Sequence, residues 1–265
     1  MKFSQTDLAD LRTAKKILEN PGIAAKLTDL LATPIERGFE MLPPKWSALV
    51  NLASQKSLQK ALDFSILTLD EKTKDVARNR WHKIAVATVG AAGGAFGLSA
   101  VPIELPASTM IILRSIADIA RIQGEDLRDP EARLNCLQVF ALGGRSTADD
   151  AAETGYYAIR LSLSKLISDA ASFIAERGLS KKSAPVLVKL ISIIASRFSA
   201  AVSQKVAAMA IPVLGAVGGA AINTVFIDHF QKMALGHFIV RRLERKYGIR
   251  RIREQYDRIQ LQNSA

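Results

Sequence analysis

The chain has 265 residues, enough for one large domain or two small ones and for a sizeable core without disulfides. Its single cysteine, Cys136, excludes an internal disulfide and a multi-cysteine metal site. The first residues lack the apolar stretch of a secretory signal, so no cleaved signal is expected. The net charge of +11 favours an anionic partner, whereas 6% aromatic residues leave few stacking platforms for single-stranded nucleic acid.

Helical periodicity recurs along the sequence, and no stretch shows the two-residue alternation of a strand. The sequence therefore predicts an all-α fold with about ten helices. Thr6 is predicted to cap the first helix, which ends at Asn20-Pro21-Gly22. Asp129-Pro130-Glu131 has the order of an N-cap and the first two helical residues, and Gly143-Gly144 ends that helix. Further helices are predicted to start at Thr33-Pro34 and Thr147 and to cover residues 45–69, 108–123 and 180–204.

Two stretches without charged residues, 84–103 and 206–227, are each as long as a membrane span. Glycine costs roughly 1 kcal/mol against alanine inside a helix, so their many glycines need a compensating gain. Small residues spaced by four let a second backbone approach closely, which drives helix association in lipid. The alternative is that both stretches are buried core helices of a soluble bundle. The predicted membrane or close-packing positions are Gly90, Gly93, Gly94, Gly97, Pro102, Pro106, Gly215, Gly218 and Gly219.

The prolines divide the first of these stretches. Pro102 and Pro106 are four residues apart and predict a break in the helix. The result would be a helical hairpin with basic residues on both flanks, which favours insertion into one leaflet with both ends in the cytoplasm. The second stretch is expected to form a similar unit, so the fold would contain two glycine-rich apolar hairpins. Glu104 would lie in the first turn, where it caps the next helix, pairs with an arginine such as Arg114, or forms a proton or cation site.

Two runs of residues resemble the EcsC protein family. The first run extends over residues 93–126 and contains Arg114-Ser115-Ile116-Ala117-Asp118. The second is more specific, extends over residues 212–248, and contains Phe226-Ile227-Asp228-His229-Phe230 and Gly236-His237-Phe238. The resemblance implies a bacterial protein of a group without an accepted catalytic activity, so it supplies no catalytic residues. It predicts an N-terminal helical extension over 1–41, an EcsC-like helical domain over 42–248 and a basic C-terminal helix over 249–265.

The sequence contains no P-loop, dinucleotide fingerprint, G-x-S-x-G or H-E-x-x-H motif, which argues against an ATPase or a dinucleotide-dependent enzyme. Asp228, His229 and His237 could form a hydrolase-type metal site with Glu104, since imidazole and carboxylate groups bind several divalent ions. The alternative is that hydrogen bonds satisfy both histidines where the apolar stretch meets water. The sequence favours this second interpretation, and no cofactor is predicted.

Residues 241–258 carry eight bases and three acids. One interpretation is contact with anionic lipid, to which each base near the surface contributes about 1 kcal/mol. The others are a salt-sensitive nucleic-acid contact and a solvated helix in which Glu244 and Glu254 pair locally. The predicted lipid-contact residues are Arg241, Arg242, Arg245, Lys246, Arg250 and Arg251.

These patterns together predict a non-enzymatic, membrane-associated accessory or scaffold protein at the inner face of the cell membrane, with a role in transport or envelope processes. The alternative function is a metal-dependent hydrolase that uses Asp228, His229 and His237. The predicted partner is an anionic membrane surface, with a membrane protein as a further partner. Nucleic acid is not expected as a partner, and the sequence predicts no oligomeric state.

Overall fold

The computed structural model describes residues 2–19, 22–68, 101–144, 155–177, 184–211 and 215–260. Within these ranges the chain forms ten helices and no strand, which confirms the predicted all-α fold. Gly90, Gly93, Gly94 and Gly97 lie outside the described residues, as do Pro212 and the helix start predicted at Thr147. The first predicted glycine-rich hairpin therefore falls largely outside them as well.

One helix lies at the centre of the fold. In chain order the helices are α1 (Gln5–Glu19), α2 (Ile23–Leu31), α3 (Ile35–Glu40), α4 (Trp46–Thr68), α5 (Val101–Ile122), α6 (Pro130–Leu142), α7 (Tyr156–Arg177), α8 (Pro185–Ala210), α9 (Gly215–Tyr247) and α10 (Ile249–Arg258). The 33-residue α9 packs against α1, α2, α5, α6, α8 and α10. Between α6, α8 and α9 the rings of Phe140, Phe198, Phe226 and Phe230 form the aromatic part of the core.

Two helix starts show how local sequence signals act. The cap predicted on α6 is confirmed, because Asp129 Oδ1 accepts the Glu131 N–H at 2.9 Å and Pro130 follows the cap. On α1 the prediction is wrong by two residues, since Ser4 Oγ accepts the Asp7 N–H at 3.1 Å and donates to the Asp7 carboxylate at 2.7 Å. Ser4 and Thr6 both precede the same apolar pattern, so the pattern alone did not decide between them.

The helix break predicted at Pro102 and Pro106 is wrong, because α5 runs without interruption from Val101 to Ile122. Pro102 is exposed and follows Val101, the first residue of α5 that the structure describes. Pro106 removes one backbone hydrogen bond, and it is buried where α5 packs against α4 and α9. Glu104 therefore lies on a helix and not in a turn.

The second charge-free stretch, 206–227, is divided between two helices, since α8 ends at Ala210 and α9 begins at Gly215. Val206 and Phe226 are buried on either side of the division, as are Gly218 and Gly219. Among the described helices only α8 is long and apolar enough to cross a membrane, with a mean hydropathy of 1.7 over 18 residues, half of which are buried in the fold. A core helix of a soluble protein has the same composition, so this helix is weak evidence for a span.

Close backbone approaches occur at glycines for which the sequence predicted none. A Cβ atom on Gly38 of α3 would collide with the backbone carbonyl of Ala207 on α8. A Cβ atom on Gly144, just after α6, would collide with the carbonyl of Arg197, which lies on α8 like Ala207. The backbone of α8 is thus approached closely at two places by chain segments that have no side chain at the contact.

Candidate functional site in a polar cleft

A cleft of about 380 Å³ lies among α6, α7, α9 and the start of α10. Each of the first two helices lines it with residues spaced by four and three, which share one helix face. These are Glu131, Asn135 and Gln138 on α6 and Arg160, Ser164 and Ile167 on α7. The opposite wall consists of Arg241, Glu244 and Arg245 on α9 with Ile249 on α10. The polar face of α6 is the one signal in the sequence from which this site could have been found.

A bidentate ion pair joins two walls of the cleft. Arg160 Nη1 donates to Glu244 Oε1 at 2.7 Å, and Nη2 donates to Oε2 at 2.9 Å. The two side chains are 16% and 5% exposed, and the Tyr157 hydroxyl donates to the same carboxylate at 3.2 Å. A planar, charge-assisted pair of this kind fixes the orientation of both groups as well as their distance. Arg160 is therefore held rigidly on the wall that it shares with Ser164.

Behind this ion pair lies a buried histidine. The Nδ1 atom of His237 is 2.9 Å from the Tyr156 hydroxyl, which accepts a hydrogen bond from Arg160 Nη1 at 3.3 Å and is free to donate to the ring. His237 is fully buried, and within the described part of the chain its Nε2 atom has no hydrogen-bond partner. Burial, together with the charges of Arg160 and Arg241, lowers the pKa of His237 well below its ordinary value. The ring is therefore neutral at physiological pH.

The third group of charges involves one carboxylate and two arginines. Arg241 donates from Nε and Nη2 to the two oxygens of Glu125 at 2.9 and 3.1 Å. Arg245 contacts the same carboxylate and donates to the Gln123 carbonyl at 2.6 Å. Burial opposes ionisation of Glu125, but the hydrogen bonds and charges of the two arginines outweigh it and lower the pKa of the carboxyl. Two positive charges thus share one negative charge beside the cleft.

The sequence profile of the EcsC protein family matches residues 5–243 of the 265-residue chain. The chain belongs to the EcsC protein family. No curated protein and no solved structure matches it. The matched range includes α1–α3 and all of the cleft except Glu244, Arg245 and Ile249. Helices α1–α3 pack directly on the rest of the EcsC fold, α1 and α2 against α9 and α3 against α8.

The EcsC fold separates the residues that the sequence grouped as a metal site. Asp228 pairs with Lys232 one turn later at 2.8 Å, whereas His229 Nε2 lies 2.8 Å from the Gly143 carbonyl and His237 contacts Tyr156. Within the described ranges, no group of three or more His, Cys, Asp or Glu residues is placed to hold a metal ion. The alternative of a metal-dependent hydrolase has no ligand set there.

Both histidines have a hydrogen-bond partner, but they lie in the protein core and not at the predicted boundary between an apolar segment and water. His229 is 1% exposed and His237 is 0% exposed, so neither lies where an apolar segment meets water. Burial lowers the pKa of His229 to about 4, although the hydrogen bond with Gly143 raises it. Both histidines are therefore neutral core residues of α9. The run of uncharged residues before Asp228 did not indicate that they would be buried.

Glu104 has a partner that the sequence did not suggest. Lys205 Nζ on α8 donates to both of its carboxylate oxygens at 2.9 Å, and Asn223 Nδ2 on α9 donates at 3.1 Å. Glu104 is 5% exposed and Lys205 is 1% exposed, so the pair is fully inside the core. Arg114, the predicted partner, is exposed on α5. The three residues connect α5, α8 and α9 at one point.

Most of the bases predicted to contact lipid bind carboxylates of the same chain. Arg242 pairs with Asp10, Lys246 with Asp7 at 2.6 Å, and Arg250 with Glu254 at 3.0 Å. Arg241 and Arg245 hold Glu125, and Arg251 lies over the ring of Phe3. These contacts fasten the C-terminal end of α9 and α10 to α1 and to the turn after α5. The lipid contact proposed for these six bases would have to compete with these pairs.

The buried histidines predict an acid-sensitive fold. A neutral histidine whose folded pKa lies near 4, against 6.5 when unfolded, contributes stability that is complete above pH 6.5 and is lost as the pH falls toward 4. From His229 alone we expect the free energy of unfolding to fall by about 2 kcal/mol between neutral pH and pH 5, and His237, whose pKa is also lowered by burial, adds to this fall. Urea unfolding at both pH values measures this difference.

The control for this experiment is His229→Gln, which retains a hydrogen-bonding side chain but does not titrate. Its stability should change less with pH than that of the unsubstituted protein, although carboxylates such as Glu125 titrate in both. A pH dependence that is identical in the two proteins would show that His229 is not the sensitive group.

Proposed function

We propose that this EcsC protein is a non-enzymatic, membrane-associated accessory or scaffold protein that docks on an anionic bilayer at the inner face of the cell membrane and acts in transport or envelope processes. The observation that carries the proposal is one exposed surface, the α4 face. It consists of Lys45 just before α4 and of four residues on that helix, at spacings of three and four that place them on one side: Leu49, Leu52, Lys56 and Lys60.

The α4 face combines apolar and basic side chains. Leu49 is 38% exposed and Leu52 is 50% exposed, and Met41 nearby is 51% exposed. Lys56 and Lys60 are exposed on the following two turns. The sequence has no acidic residue between Glu40 and Asp63, so none separates the lysines from the leucines. The opposite side of α4 is buried against α5, α6 and α8, which fixes the orientation of this face toward solvent.

Charge complementarity selects an anionic bilayer as the partner. Each base near an anionic membrane surface contributes about 1 kcal/mol, and this contribution is screened by salt. Exposed leucines on the same face gain by burial among the lipid chains, as in helices that lie in the plane of a membrane. The α4 lysines suit this role better than the C-terminal bases do, because Arg241, Arg242 and Lys246 bind carboxylates of the chain.

Co-sedimentation with lipid vesicles tests the proposal. The protein should bind phosphatidylglycerol vesicles at low salt, bind them more weakly at high salt, and bind phosphatidylcholine vesicles least. The double variant Lys56→Glu/Lys60→Glu should weaken binding at low salt by at least about tenfold, since two attractions become repulsions. The matched control is Lys165→Glu/Lys189→Glu, which changes two exposed lysines on α7 and α8 and alters the net charge equally.

Two results would contradict the proposal: no binding to anionic vesicles at low salt, or an equal loss of binding in the control. A second pair of variants separates the apolar contribution from the charges. Leu52→Ser should weaken binding, whereas Leu161→Ser, which changes a leucine 66% exposed on α7, should not. Both leucines are exposed, so neither change should alter the fold.

A further inference from the structure

We infer that the polar cleft binds a small zwitterion, in which a short carbon chain joins an ammonium group to a carboxylate. This inference does not rest on the α4 face, because the cleft is formed by other helices, α6, α7, α9 and α10. It rests on charges of opposite sign on two walls of the cleft, on the apolar residues beside them and on the volume of the cleft.

The positive charge lies on the α9 wall. Arg241 and Arg245 line the cleft, whereas Glu125, the one carboxylate that they share, does not. This wall therefore has one positive charge in excess. Arg241 binds Glu125 through Nε and Nη2, and Arg245, which is 42% exposed, uses Nη1 for Glu125 and Nη2 for the Gln123 carbonyl. Because each guanidinium group has five N–H donors, both arginines keep donors for the carboxylate of a ligand.

The negative charge lies on the α6 wall. Glu131 lines the cleft from the first turn of α6, and its side chain is exposed. Among the described residues its carboxylate has no ion-pair partner, since the arginines of the α9 wall bind Glu125 and not Glu131. It is therefore an acceptor that a ligand can reach. Arg160 and Glu244 neutralise each other, so the cleft as a whole has two opposite charges and no net charge.

This pattern of charge selects the class of ligand. A simple anion or cation gains at one wall what it loses at the other, whereas a zwitterion pairs with both walls at once. The two charges lie on different helices and do not pair directly, so the charges of the ligand must be separated by a carbon chain. Ile167 and Ile249 give the cleft an apolar part against which such a chain can pack. Pockets for small molecules start at about 300 Å³, so 380 Å³ suits a ligand of this size.

Isothermal titration calorimetry at neutral pH and constant ionic strength tests the inference with a series of zwitterions of increasing length: glycine, β-alanine, γ-aminobutyrate and δ-aminovalerate. We expect one chain length to bind most tightly. It should bind at least about tenfold more tightly than the carboxylate that lacks its amino group and the amine that lacks its carboxylate. Failure of the whole series to bind, or equal binding of a zwitterion and its singly charged analogues, would overturn the inference.

Two variants assign the binding to the two walls. Glu131→Gln and Arg245→Gln should each lower the affinity for the tightest zwitterion of the series about tenfold, because each removes one of its two charged partners. Both side chains are exposed, and Arg241 continues to hold Glu125 in the second variant. The ligand-free variants should therefore melt close to the temperature of the unsubstituted protein, which thermal unfolding checks.

The matched controls are Glu36→Gln and Arg128→Gln, which change exposed residues that do not line the cleft. Glu36 lies in the first turn of α3 as Glu131 does in that of α6, so it controls for the effect of a carboxylate at the start of a helix. Both controls should keep the affinity of the unsubstituted protein. Unchanged affinity in either Glu131→Gln or Arg245→Gln, or an equal loss in the controls, would overturn the inference.

Discussion

Replacing Lys205 with methionine should lower the free energy of unfolding by about 3–5 kcal/mol, because it leaves the carboxylate of Glu104 buried without its counter-ion. Lys205 is 1% exposed and donates to both oxygens of Glu104. Asn223 supplies one further hydrogen bond, which cannot replace a full charge. Urea unfolding at neutral pH measures the difference.

The double variant Glu104→Gln/Lys205→Met separates the cost of an unpaired charge from the cost of lost packing. It buries no charge, so it should recover most of the stability lost in the single variant. Lys189→Met, an exposed lysine on the same helix, serves as the control and should change stability by less than about 0.5 kcal/mol. A double variant as unstable as Lys205→Met would show that the charge of Glu104 is not the cause.

Local signals in the sequence predicted the parts of the fold that depend on neighbouring residues. Asp129 and Pro130 define the start of α6 because a cap and its acceptor lie within two residues of each other. The absence of strands from the described ranges was predicted from periodicity, which is also a local property. The choice between Ser4 and Thr6 was missed because both signals were present and only the geometry of the turn distinguishes them.

Contacts between distant residues could not be predicted in this way. Glu104 and Lys205 are 101 residues apart, and Arg160 and Glu244 are 84 apart, so no spacing rule relates them. The charge-free composition of 206–227 fits a membrane segment and a protein core equally, and the structure buries residues of both parts of it. The cleft was missed for the same reason, since its walls on α6, α7 and α9 come together only in the fold.

The cleft and the C-terminal bases also show why a count of charges misleads. Residues 241–258 have an excess of five positive charges, yet Arg241, Arg242 and Lys246 bind carboxylates on other elements. The three lysines of the α4 face lie in a stretch, residues 41–62, that contains no acidic residue. An electrostatic partner is recognised by the charge that remains after internal pairing, and that depends on the fold.

Replacing Gly38 with alanine should lower the free energy of unfolding by about 2–3 kcal/mol, near the upper end of the usual cost of overpacking. Helix propensity alone predicts the opposite sign, since alanine in the interior of α3 is favoured over glycine by about 1 kcal/mol. The structure decides for destabilisation, because the added Cβ would collide with the carbonyl of Ala207, a backbone atom that cannot rotate away. The short helix α3 would have to move off α8.

Gly155→Ala is the matched control for this prediction. Among the described residues beyond its chain neighbours, a Cβ atom at Gly155 meets no atom within 4 Å, so the substitution adds the same methyl group without a collision with any of them. It should be neutral or stabilise the protein by up to about 1 kcal/mol, because alanine restricts the unfolded chain. Thermal and urea unfolding of both variants give the comparison. A Gly38→Ala protein as stable as Gly155→Ala would mean that α3 and α8 do not need a residue without a side chain at their contact, and that helix propensity governs α3 instead.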